Sequence, residues 1–282
     1  MNRWSAVASV ILSATTTAAF AFQVPQALPE GGKLLPVDGI ELYVEERGQG
    51  SPVLLLHNFG NSGAGWAFIV PELSKDHRVL LIDLPGHGRS TGWKDQVFDY
   101  PAAAKRVFRV LDQLGIHRLG LVGASTGGAV ALRMAAEQPA RVEALVLVGA
   151  FDRITDEATA ILKQPGCQGL TPDDWVRKRQ QHLHGDDQIR ALQRMFCNEV
   201  NNPHLLTSPP LSHVKARTLI IHGDHDPIFP PRVGLGIYHA VPTAYLWVVP
   251  DGGHLPGFDG RNRSSVVAGI RSFLGSEWRP KY

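Results

Sequence analysis

Two hydrophobic rhythms alternate along most of this chain. Residues 53–57, 78–83, 118–123, 142–148, 218–223 and 245–249 are short runs made almost wholly of apolar residues. Such runs predict strands covered on both faces, as in a parallel sheet. Between them lie segments with a helical period. In residues 100–114, Ala104, Val107, Leu111 and Leu114 recur at spacings of three and four. Residues 127–137, 233–240 and 264–274 read as further helices, and 66–73 as an amphipathic segment whose helix is limited by Pro71. Residues 33–46 predict a hairpin turning at Asp38-Gly39. Strands alternating with helices predict an α/β fold with a doubly wound, mostly parallel sheet.

The alternation lapses after Ala150. Residues 151–214 contain several short helical patterns and no convincing strand. Thr155 and Thr171 precede acidic residues, as N-caps do, and Pro172 occupies a favoured first helical position. Ile189, Leu192, Phe196 and Val200 form a helical stripe. The expected organisation is a sheet core in residues 22–150, a helical insertion in 151–214 and the rest of the core in 215–282.

Composition narrows the setting. A net charge of +2 with intermixed signs and no long basic run argues against a nucleic-acid partner. The N-terminus carries a basic start, an apolar stretch and the A-x-A site Ala19-Phe20-Ala21. This layout predicts a signal peptide over residues 1–21, a retained anchor being the rival reading. The expected mature protein is soluble and exported, in the periplasm or beyond. Cys167 and Cys197 are then candidates for a disulfide, the alternative being two separate buried thiols.

The candidate chemistry sits at strand ends. Residues 123–127 read G-A-S-T-G, a G-x-S-x-G between a predicted strand and a predicted helix. Small neighbours allow the tight turn that would expose Ser125, and the helix N-terminus presents free N–H groups to developing negative charge. A serine needs a base, and the base an orienting acid. Asp224 and Asp226 follow the strand at 218–223, and His254 lies in a glycine-rich loop beyond the last strand. Active-site groups of open α/β sheets gather at these carboxyl ends.

Together "HNFG" at 57–60, "DLPGHGRS" at 83–90, the G-x-S-x-G turn, "GDHDPIFP" at 223–230 and "GGH" at 252–254 resemble the α/β-hydrolase superfamily, in its chain order of Ser, Asp and His. The resemblance covers nearly all of the chain after the N-terminal segment. It implies Ser125 as nucleophile, His254 as general base and Asp226, by the family's G-x-x-D spacing from Gly223, as orienting acid. It also implies an oxyanion hole from the Thr126 and Phe59 backbone N–H groups, with Asn58 where the family has glycine. Asparagine tolerates positive φ best among the other residues, so the same loop shape is expected, the alternative being that its amide adds a donor or fixes the loop. The helical insertion resembles the family's cap. Asn58, Trp66, Trp175, Met195, Phe196 and Leu255 are the expected pocket residues. His57 and His87 read as structural, and His182 and His184 as surface residues of the insertion. No metal set and no cofactor are implied.

The serine at the turn favours acyl transfer to water on a small ester, lactone or thioester. Cofactor-free perhydrolases and carbon–carbon bond hydrolases are the nearest alternatives; the latter's "HGxGPGA"-like loop is absent here. A non-catalytic receptor for a small ligand is the alternative from another class.

Overall fold

The computed structural model describes residues 29–278 apart from Gln96 and Gln168. The signal segment read from residues 1–21 lies outside them. Eight strands form one sheet in the order β1-β2-β4-β3-β5-β6-β7-β8. The first two, β1 (Gly32–Val37) and β2 (Ile40–Arg47), make the expected hairpin. Asp38 and Gly39 both adopt positive φ at its turn, which a two-residue hairpin of this hand requires. β2 runs antiparallel to β4 (His77–Ile82). From β4 onward every pairing is parallel, through β3 (Ser51–Leu56), β5 (Leu119–Ala124), β6 (Val142–Val148), β7 (Arg217–Gly223) and β8 (Ala244–Val249).

The apolar strands are explained by cover on both faces. Along β3, Leu54 and Leu56 enter one core while Val53 and Leu55 enter the other. Successive strand side chains point to opposite faces, so a strand covered twice is apolar throughout. Helices α2 (Tyr100–Gln113), α3 (Thr126–Glu137) and α7 (Pro231–Ala240) bury side chains in the first core. The short α1 (Val70–Leu73) and α8 (Arg263–Leu274) do so in the second. Fully burying each large aliphatic side chain is worth ~1.5–3 kcal/mol. The doubly wound α/β fold expected from the sequence is the one observed.

Residues 151–214 contain α4 (Asp156–Gly166), α5 (Pro172–Gln181), α6 (Asp186–Asn201) and two 3₁₀ turns, with no strand among the described residues. Thr155 accepts from the Ala158 N–H, and Thr171 forms a reciprocal capping box with Asp174. Ile189, Leu192 and Val200 bury the predicted stripe of α6. A disulfide joins Cys167, just past α4, to Cys197 on α6. With a sequence separation of 30, the chain-entropy model assigns it ~3–4 kcal/mol. Reduction should therefore lower the unfolding free energy by about that amount, read as a fall in denaturant midpoint at an unchanged slope. Hydrogen exchange should show protection lost first in α4–α6. Unchanged stability after complete reduction would contradict this.

Candidate active site

The turn at Ser125 is built by close backbone approach. Ser125 takes φ 49° and ψ −117°, a conformation costly for a residue with a side chain. Its N–H donates to Val148 O at 2.9 Å and its carbonyl accepts from the Ala129 N–H at 2.9 Å. These bonds hold the turn between β5 and α3. Glycine is obligatory around it. A methyl group on Gly127 would be driven into the carbonyl oxygens of Leu56 and His57, and one on Gly128 would sit 2.5 Å from Ala150 Cβ. The N-terminus of α3 thus lies directly on the end of β3.

The other two groups come from neighbouring strand ends. His254 Nε2 is 3.1 Å from Ser125 Oγ, and His254 Nδ1 is 2.8 Å from Asp226 Oδ2. The Asp226 side chain is fully buried, and its other oxygen accepts from the Ile228 and Phe229 N–H groups at 2.8 and 3.0 Å. The network sets the imidazole tautomer: Nδ1–H donates to the carboxylate, leaving the Nε2 lone pair for the serine hydroxyl. Asp224 is engaged elsewhere, accepting from the Gly252 N–H at 3.1 Å and lying 2.8 Å from His225 Nδ1. A Cβ at Gly149 would collide with His254 O, so glycine there lets the histidine loop settle against the sheet.

The loop after β3 departs from expectation at Asn58. Asn58 is not among the positive-φ residues; Gly60, at φ 67°, supplies that conformation instead. The Asn58 side chain braces the loop by accepting from Asn61 Nδ2 at 3.1 Å. His57 is buried and structural: its Nε2 accepts from the Leu84 N–H at 2.9 Å, and its Nδ1–H donates to Asn58 O at 2.9 Å. Burial pulls its pKa down to about 4, so it stays neutral. Among the described residues, no acceptor takes the Phe59 or Thr126 N–H.

Helix α5 grips this loop from above. Lys178 Nζ donates to Gly60 O at 2.5 Å, and Gln181 Nε2 to Asn61 Oδ1 at 3.1 Å. His182 is buried, not a surface residue. Its Nδ1 accepts from the Gly88 N–H at 3.0 Å, so its Nε2–H donates to Gly60 O at 3.1 Å. His184, by contrast, stays at the surface and bonds Arg89 O at 2.9 Å. Between α5, α6 and the loop lies a cavity of about 200 Å³, lined by Phe59, Gly60, Leu170, Lys178, His182, Ile189, Leu192, Gln193 and Phe196.

Of the six expected pocket residues, Phe196 lines this cavity. Trp66 does not: it is fully buried in the opposite core, against Phe68 and Phe258. Trp175 packs under the guanidinium groups of Arg179 and Arg190. Met195 belongs to the first core, and Leu255 packs on the second. Asn58 serves the loop. Lys178 and His182 were missed, although their i, i+4 spacing, with Gln181 between, places all three on one face of α5.

A second buried contact ties α6 to the nucleophile turn. Glu199 lies 2.5 Å from the hydroxyl of Tyr100, which the Thr126 hydroxyl also reaches. The other Glu199 oxygen is buried without a partner. Burial pushes this carboxyl up to about 7. Between about 4.5 and 7 the folded state then holds a proton that the unfolded state releases, so this group's contribution to stability falls as pH rises through that window. Melting temperatures of wild type minus Glu199→Gln should decline from pH 4.5 to 7 and level off above. A flat difference would contradict this.

The comparisons with known proteins agree with this geometry. Residues 51–179 match the family model described as alpha/beta hydrolase fold. The 2-hydroxymuconate semialdehyde hydrolase of Pseudomonas sp. (strain CF600) is 28% identical, covering 82% of this chain and 89% of that protein. A meta-cleavage product hydrolase from Pseudomonas fluorescens IP01 superposes with a TM-score of 0.70 at 21% identity, over 88% of this chain and 99% of that one. A thermophilic esterase from Thermogutta terrifontis gives 0.69 at 24% identity, over 87% and 98%. The sheet and the serine turn define a hydrolase of the α/β type. The chain belongs to the α/β-hydrolase superfamily.

Proposed function

We propose that this protein is an exported serine hydrolase that cleaves a small carboxylic ester through an acyl-enzyme on Ser125. The observation that carries the reading is the continuous chain from Ser125 Oγ through His254 to the buried Asp226 carboxylate. His254 Nε2 takes the hydroxyl proton as Ser125 Oγ attacks the acyl carbon. The developing oxyanion accepts from the Phe59 and Thr126 N–H groups, and the imidazolium formed is held by Asp226. His254 then protonates the departing alkoxide, and the alcohol leaves. Water, deprotonated by the same nitrogen, releases the acid and restores Ser125.

Carbon–carbon hydrolysis on the same triad is the second reading, favoured by the relatives, several of which are named as hydrolases of 2-hydroxy-6-oxo-dienoates. That reaction demands protonation of the leaving carbon before the bond breaks. Among the described residues, His254 is the titratable group bonded to Ser125. An ester makes the lesser demand, since its leaving oxygen needs a proton only as it departs. Initial rates on short alkyl esters, set beside 2-hydroxy-6-oxo-dienoates, decide between them. The ester reading expects multiple turnovers on the esters and little on the dienoates; the reverse would replace it. Binding without turnover on either would favour a receptor. The disulfide in the insertion supports the exported setting, since such bonds persist in oxidising compartments. Mature protein beginning at Phe22 is the expected product of cleavage, and N-terminal sequencing checks it.

A further inference from the structure

Lys178 is a partly buried cation with no carboxylate partner among the described residues. Its ammonium carries three donors, and the structure assigns one of them, to Gly60 O. No carboxylate among the described residues lies within 4.0 Å of it. Asp174, the acid whose field reaches it, is committed to the capping box and to Arg177. Burial draws the Lys178 pKa down, because the charged form has lost water without gaining a counter-charge. Buried charges in folded proteins are as a rule paired, and leaving one unpaired costs several kcal/mol.

The position of this charge is specific. It enters from α5 a cavity whose walls are mostly apolar, at Phe59, Leu170, Ile189, Leu192 and Phe196, with Gln193 and His182 the other polar side chains. Phe59 also supplies the candidate oxyanion donor. The His182 ring is already committed at both nitrogens, to Gly60 and Gly88. One cation and a largely apolar sleeve therefore share one space, and Phe59 joins that space to the candidate oxyanion loop.

We propose that the substrate carries a carboxylate at the end of an apolar chain, the chain filling this cavity and the carboxylate pairing with Lys178. The proposal rests on the ester-hydrolase reading and names its substrate class. A charge-assisted bond of this kind is worth ~1.5–3 kcal/mol, or about 10- to 100-fold.

The test compares methyl hydrogen adipate with dimethyl adipate, which present the same methyl ester with and without a carboxylate. Wild type should favour the anion about 10-fold or more in kcat/KM. In Lys178→Met that ratio should fall to one or below, whatever the absolute rates, and Lys178→Arg should restore part of it. Equal kcat/KM in wild type, or a preference that survives Lys178→Met, overturns the proposal. Hydrolysis of neither ester is a failure of the ester reading and is told apart by binding. Calorimetry with hexanoate and hexanamide on the intact protein should show hexanoate binding at least about 10-fold more tightly. Equal binding of the two overturns the carboxylate site whatever bond the enzyme cleaves.

Discussion

Replacing Ser125 with alanine should lower ester turnover by ~10⁴-fold or more while the protein still folds. The effect on chemistry is total because no second nucleophile is bonded to His254: its Nε2 faces Ser125 Oγ at 3.1 Å and its Nδ1 faces Asp226. The effect on stability is small because the turn is held by backbone bonds. Val148 O and the Ala129 N–H engage the Ser125 main chain, and the side chain provides no cap bond to α3. Alanine also meets the same positive φ as serine, so the strain at this position is unchanged. Near-wild-type thermal unfolding with turnover reduced to background is the expected pair of results. Turnover within a few-fold of wild type would remove Ser125 from the mechanism.

The second large effect should come from Asp226→Asn. Loss of about 10⁴-fold in kcat is expected, by analogy with the same change in a serine protease triad. The carboxylate makes three bonds: it accepts from Ile228 N–H, Phe229 N–H and His254 Nδ1–H. An asparagine can keep its oxygen on the two backbone donors. Its amide nitrogen then faces His254 Nδ1 and, being a donor, demands a lone pair there. The imidazole proton moves to Nε2, the atom that must accept from Ser125. The geometry survives while the tautomer is reversed. Asp224→Asn is the matched control, since Asp224 bonds Gly252 and His225 and does not touch His254. A large loss from Asp224→Asn with little from Asp226→Asn would reverse the assignment.

Much of this site was legible before any coordinates, for reasons that can be named. The fold follows from local rules. A short apolar run with no polar face, bounded by turn residues, fits a strand covered twice, and Asp38-Gly39 can turn a hairpin because both residues accept positive φ. The turn at Ser125 is legible because it demands glycines: Gly123, Gly127 and Gly128 each sit where a Cβ would strike backbone or a packed methyl. His254 and Asp226 could be placed because strand ends converge at one edge of a parallel sheet.

The cap is different. Trp66, Trp175 and Met195 are large apolar residues in or near the segments that frame the site. Size and hydrophobicity, however, do not say which face a side chain will take. Trp66 went to the opposite core, and Trp175 went under two arginines. His182 looked like a surface residue among polar neighbours, yet α5 turns that face down onto Gly60 and Gly88. Asn58 stands where the family has glycine, yet the left-handed conformation belongs to Gly60, two residues on.

What the sequence determined by itself was the sheet, the turn at Ser125 and the strand ends that carry His254 and Asp226 to it. Each is dictated by short-range constraints: side-chain alternation, the backbone freedom of glycine and the order of strand ends. What only the tertiary structure decided was the shape and charge of the space above them. Lys178 acquires its meaning from Gly60, 118 residues earlier in the chain. The cost of burying its charge exists only once α5 has docked on the loop and excluded water from between them.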